Sequence, residues 1–155
     1  MHIEKGKRVL RNAELFHDLN DIHLNLIMMI CEEVTLGPQE IIFRQDDPGD
    51  ALYIIAQGEV SIILETNERE PVQLALLEEN DTFGETILID KGTRSATARC
   101  HTEVQMLRIP RAQMLQLAGD YPEIGFHIMR RMATDLMKKL RSANLNIRTL
   151  TKNTP

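Results

Sequence analysis

The chain has 155 residues, 43% hydrophobic and 26% charged, which suits one domain with a real core and leaves too little length for two. Its net charge of -5 is unevenly placed: residues 1–120 carry 11 Lys and Arg against 21 Asp and Glu, and residues 121–155 carry 7 against 2. An acidic body argues against gripping a polyanion, because nucleic-acid affinity comes mainly from phosphate neutralisation by clustered Lys and Arg. The opening residues lack an apolar signal core, and the longest apolar run, Leu26 to Cys31, is too short to cross a bilayer. These features predict a soluble, cytoplasmic protein with no nucleic-acid partner and no membrane insertion. Two isolated cysteines, Cys31 and Cys100, fit small buried hydrophobes in a reducing compartment and not a nucleophile.

In chain order, Leu24, Ile27, Met28 and Cys31 fall at helical spacing behind Asn20, a good N-cap, and predict a helix from about 21 to 31. From Val34 to Pro110 short apolar runs alternate with turn signals: 34–36, 41–43, 51–57, 60–65, 72–77, 95–100 and 104–110. Runs at spacings near ten residues predict antiparallel strands in a barrel or sandwich, not βαβ units. The run Ala51 to Gln57 is apolar almost throughout, as expected of a strand covered on both faces. After Pro110 the segment 111–118 predicts a short helix ended by Gly119. Pro122 then suits a first helical turn, and Met129, Met132, Leu136, Leu140, Ala143 and Ile147 step by three and four, predicting one long helix over about 122–146. Its methionines are expected to fill gaps against the barrel in preference to forming a dimer seam. Arg130, Arg131, Lys138, Lys139 and Arg141 are expected to form its solvated face. The final residues from Thr149 are expected to fray.

Phe83 to Ala96, FGETILIDKGTRSA, interrupts the strands with one or two helical turns. A helix N-terminus offers unpaired backbone N–H groups and a positive dipole end, which together hold a phosphate. Gly84 lacks a side chain that would block a ligand from the backbone, and Gly92 allows the positive φ that would turn the chain so that Arg94 points to the same place. An arginine fork donates two parallel hydrogen bonds to a phosphate, where a lysine supplies only a point charge. Glu85 beside a phosphate suits the acceptor role toward the vicinal hydroxyls of a sugar. A plainer reading stays open beside it: Thr82 and Glu85 match the S/T-x-x-E capping box, in which both would serve the helix end alone.

The same stretch resembles the phosphate-binding cassette of the cyclic nucleotide-binding domains, F-G-E followed by a spacer and then R with a small residue and Ala. Here the spacer, Thr86 to Thr93, has eight residues. The resemblance extends to residues 46–63, with Gly49, Tyr53 and Gly58, to an N-terminal helix at 8–21 and to a closing helix at 121–140, covering about 5 to 147. It implies a mainly β jelly roll or barrel (α+β) forming a single domain over 1–155. N-terminal helices would occupy 5–32, the barrel 33–110, C-terminal helices 111–147 and a tail 148–155. It implies that Glu85, with Gly84, binds the ribose, that Arg94 binds the cyclic phosphate with backbone amides around Ile87 and Leu88, and that Ser95 adds a hydroxyl contact. Ile62, Leu74 and Leu77 would wall the base, although alternate apolar residues in strands usually face the core.

The family usually carries Ala or Gly where this chain has Ile87. Turned inward, a β-branched side chain there would crowd the pocket; turned outward, it would not. The resemblance implies a non-enzymatic, signal-transducing sensor for cAMP or cGMP, with Ser95 leaning toward cAMP. The closing helix would relay binding to a homodimer partner or an effector protein. No DNA-reading domain is expected in the eight residues after Ile147. Two rivals remain: a degenerate copy of the fold used for protein interaction, and a cupin-like metalloenzyme. Against the second, only His101 of the five histidines falls among the strands, and one histidine cannot build such a site.

Overall fold

The structure, a computed structural model, describes residues 1–152. Helix α1 (Ile3–Asn12), a 3-10 turn (Glu14–Phe16) and α2 (Asp21–Met28) precede the strands. Asn20 caps α2 as expected: its Oδ1 accepts from the His23 amide at 2.9 Å, and Nδ1 of His23 accepts from the Asn20 amide at 3.4 Å. The helix ends three residues earlier than its apolar spacing suggests, because Glu32 already pairs as a strand.

The strands are β1 (Glu32–Leu36), β2 (Ile41–Phe43), β3 (Ala51–Gln57), β4 (Val60–Leu64), β5 (Val72–Leu77), β6 (Thr82–Phe83), β7 (Thr97–Cys100) and β8 (Val104–Pro110). They form two antiparallel four-stranded sheets, ordered β1-β8-β3-β6 and β2-β7-β4-β5. This is a two-sheet jelly roll; the pairing does not close into a barrel. All seven expected runs are strands, and β6 is an eighth, held by the pairs Tyr53–Phe83 and Ile54–Thr82.

Strand β3 explains why its sequence is apolar on both sides. Ala51, Tyr53 and Ile55 lie in the core between the sheets, with Val60, Phe83, Ala98, Cys100 and Met106. Leu52, Ile54 and Ala56 lie in a second core, under the helices, with Leu10, Phe16, Leu24, Met114, Ile124 and Ile128. Period-two alternation therefore gives each face its own apolar partner. Both cysteines follow the sequence reading: Cys100 is fully buried, and burial pushes the half-buried Cys31 thiol up to about 12, which leaves it un-ionised near neutral pH.

Two helices, α3 (Arg111–Asp120) and α4 (Pro122–Lys152), close the chain. Gly119 does not end α3, which continues through Asp120 and is capped at Tyr121. Helix α4 runs past its expected end near 146, so residues 148–152 of the expected tail are helical. The rest of that tail, 153–155, lies outside the described residues. The expected docking of its apolar stripe is corrected too. Ile124, Ile128 and Met132 are buried, but Leu136, Leu140 and Ile147 are 60%, 65% and 60% exposed. Among its basic residues, Arg131 is tied to Asp18 at 3.3 Å and Lys139 lines the cavity described next, so only part of that set forms a solvated face.

Candidate functional site

The cassette is built by one loop held against another. Asp46 N donates to Arg94 O and Arg94 N donates to Asp47 O, both at 2.8 Å, while Gly49 N donates to Gly92 O at 3.2 Å. Pro48 bridges Thr93 in the same ladder. The turn between β2 and β3 thus fixes the backbone of Arg94 before its side chain makes any contact. Gly92 does not supply the expected positive φ; among the glycines described that role falls to Gly58 and Gly84.

Between β6 and that ladder lies a 3-10 turn, Glu85–Leu88, entered through Gly84 at φ 75°. Neither reciprocal bond of the capping box is present: Gly84, not Thr82, is the N-cap residue, no side chain caps the turn, and the buried Oγ1 of Thr82 finds no partner. A Cβ at residue 84 would lie 2.7 Å from Nη1 of Arg94, so this glycine is required by the arginine as well as by its left-handed backbone. Arg111, at the start of α3, donates from Nε to Ile87 O at 2.7 Å and pins the turn from behind.

Arg94 is only 4% exposed. Its Nη2 donates to Ala51 O at 2.6 Å and its Nη1 to Gly84 O at 3.3 Å, with Asp50 Oδ1 3.6 Å from Nη2 and the Phe43 ring centroid 4.0 Å from Cζ. Burial pulls the guanidinium pKa below its ordinary value, opposed by the charges of Tyr53 and Asp50. Its Nε has no protein partner. A buried cation with an unsatisfied donor is a standing demand for an anionic acceptor.

That guanidinium borders a cavity of about 360 Å³, within the range of roughly 300–1,000 Å³ common for small-molecule pockets. Gly84, Glu85, Ile87, Arg94 and Ser95 of the expected set line it, as do Ile62 and Leu77 on the apolar wall. Leu88 faces the core under the helices, and Leu74, 55% exposed, is not among the lining residues. It stands three residues before Leu77 in β5, so period-two alternation places it on the face opposite Leu77. Ile87 is buried, and a Cβ on Gly49 would overlap its Cγ2; the branched side chain fills the space left by that glycine and the cavity stays open.

Glu85 lines the same cavity and is half-buried. Burial raises its pKa; its own backbone amide and the Lys139 ammonium lower it, and Asp135 raises it. Phe43, Asp50 with Ala51, Arg111 and Lys139 were not singled out for this site from the sequence. Each lies at least 15 residues from the cassette, and only pairing across the sheets or the docking of α4 brings it there.

A two-sheet jelly roll with a glycine-entered turn, a buried arginine and a carboxylate around one cavity is the arrangement that the resemblance of the sequence implies. The family model for the cyclic nucleotide-binding domain matches residues 33–121, and the chain belongs to that family. It is similar to the cyclic AMP receptor protein of Thermus thermophilus, 30% identical over 138 residues that make up 89% of this chain and 62% of that protein. It is 37% identical over 115 residues to a cAMP-dependent protein kinase regulatory subunit of Emericella nidulans, covering 74% of this chain and 27% of that one. Among solved structures, the N-terminal domain of a transcriptional regulator from Streptomyces coelicolor matches with a TM-score of 0.78 at 30% identity, over 87% of this chain and 94% of that one. The chain spans about 60% of the length of the cAMP-responsive regulators it matches. Among the described residues no helix is long and apolar enough to cross a membrane, and no three His, Cys, Asp or Glu side chains are grouped to hold a metal ion.

Proposed function

We propose that the chain is a non-enzymatic sensor that binds cAMP in preference to cGMP and relays occupancy through α4. The observation that carries this reading is the buried Arg94, whose Nε lacks a partner, facing the same cavity as a half-buried carboxylate. Arg94 would take the cyclic phosphate, helped by Ser95 and the amides of the Glu85–Leu88 turn, and Glu85 would accept from the ribose hydroxyl. Phe43, Ile62 and Leu77 would cover the base. An ionised carboxylate favours a hydroxyl donor over a second anion, so the two charges orient the ligand. The acidic body supports a sensor that does not itself hold nucleic acid. The output surface in this reading is the exposed side of α4. Phe126, Met129, Ala133, Leu136, Leu140, Ala143 and Ile147 step by three and four along it, the spacing of a coiled-coil seam, and a second copy of the chain is the partner that matches it.

Calorimetric titration with cAMP and cGMP tests the reading. The wild type is expected to bind both, cAMP more tightly, and Arg94→Ala to lose about 1.5–3 kcal/mol, the worth of a charged hydrogen bond. Silence of the wild type with both ligands would overturn it in favour of the non-binding copy of the fold.

A further inference from the structure

Three cavities meet at Glu85, and the only other residue lining all three is Lys139 of α4. The first, about 380 Å³, is bounded by Glu14, Asp81, Thr82, Asp135 and Lys138. The second, about 180 Å³, is mainly apolar, with Leu15, Ile89, Met132 and Leu136. The third holds Arg94. Lys139 is thus the point at which α4 reaches the Glu85 end of the Arg94 cavity, two turns beyond Met132, the last buried residue of the helix among those described.

Resting on the reading above, we infer that Lys139 is a positioning residue: it holds Glu85 as the acceptor for the sugar hydroxyl and thereby ties α4 to occupancy of the sugar subsite. The chemistry is reciprocal. A ribose hydroxyl donating to Glu85 favours the ionised carboxylate, and so does an ammonium beside it; each makes the other more favourable. Because α4 carries the ammonium, ligand binding favours the arrangement that keeps the helix against the cassette. Asp135, one turn earlier on the same helix, acts on Glu85 with the opposite sign, and Glu14 and Asp81 face the same space from the first turn and from the loop before β6. Lys138 also borders that space and is the second cation there. It does not line the other two cavities.

The experiment titrates the full chain with cAMP and with 2′-deoxy-cAMP, in the wild type, Lys139→Met, Lys139→Arg and Asp135→Asn. Lys139→Met keeps the stem without the charge and is expected to weaken cAMP binding about two- to fivefold, the range of a partly exposed ion pair. Binding of 2′-deoxy-cAMP, which lacks the hydroxyl, should be unchanged, and Lys139→Arg should restore cAMP affinity. The acid limb of cAMP affinity should move to higher pH in Lys139→Met and to lower pH in Asp135→Asn. An equal loss with both ligands assigns Lys139 to the phosphate and overturns the inference, as does no loss with either. Failure of the wild type to bind cAMP at all would instead remove the sensor reading on which this rests.

Discussion

Glu85 is subject to opposite demands with and without ligand. Burial raises its pKa, so the folded chain holds the proton more tightly than the unfolded one. The stability this contributes is present below the ordinary carboxylate value and is lost as pH rises through the raised one. At neutral pH the ionised carboxylate therefore opposes folding, while the sugar hydroxyl needs that same ion as acceptor. Glu85→Gln should raise the melting temperature of the ligand-free protein at pH 7, with the gain shrinking toward pH 4, and should weaken cAMP about tenfold by replacing a charged acceptor with a neutral one. Calorimetric melting and titration on one preparation check both signs; a variant that is less stable and binds equally well would show that the carboxylate serves the turn and not the ligand.

At the scale of elements, the proposed reading divides the sides of α4 between two uses. Ile124, Ile128 and Met132 sit in the core under the helices, and the seam through Leu136 and Leu140 stands clear of it. Periodicity alone could not separate these uses, since core packing and coiled-coil pairing both draw apolar residues at steps of three and four. Strand β3 was legible because a strand covered on both faces shows it in composition. Strand β6 was not, because two residues carry no period and owe their pairing to Tyr53 and Ile54, almost thirty residues away. Gly119 was misread as a stop because the penalty for glycine in a helix, about 1 kcal/mol, is small enough for the packing of α3 against α4 to override. In the site, Arg94 and Glu85 were legible as one local motif, whereas Phe43, Asp50 and Lys139 reach it only through tertiary pairing. A charge placed in the seam beyond the cavities should leave the core intact: Leu140→Glu with Ile147→Glu is expected to give a monomer by sedimentation with an unchanged melting curve at low concentration, whereas a wild type that is monomeric at the same concentrations would remove the seam.

For the whole molecule, the proposed reading gives sensing and pairing to one helix, and linkage then sets a quantitative condition. If saturating cAMP changes the dimer dissociation constant by some factor through α4, dimerisation must change the cAMP dissociation constant by the square root of that factor per site, because two ligands bind on the path from free monomers to the doubly occupied dimer. A ligand with equal affinity for both arrangements of α4 would move neither equilibrium, however tightly it bound. The prediction is that saturating cAMP shifts the dimer constant by about fivefold or more, the lower end of ordinary allosteric coupling. The Leu140→Glu, Ile147→Glu chain should bind cAMP with the affinity of the wild-type monomer, and Lys139→Met should reduce the shift without abolishing binding. Sedimentation with and without ligand gives one factor, and titration above and below the dimer constant gives the other. A dimer factor other than the square of the per-site factor would mean that a further state takes part. A dimer constant indifferent to cAMP would place the output of the domain elsewhere than on the seam of α4.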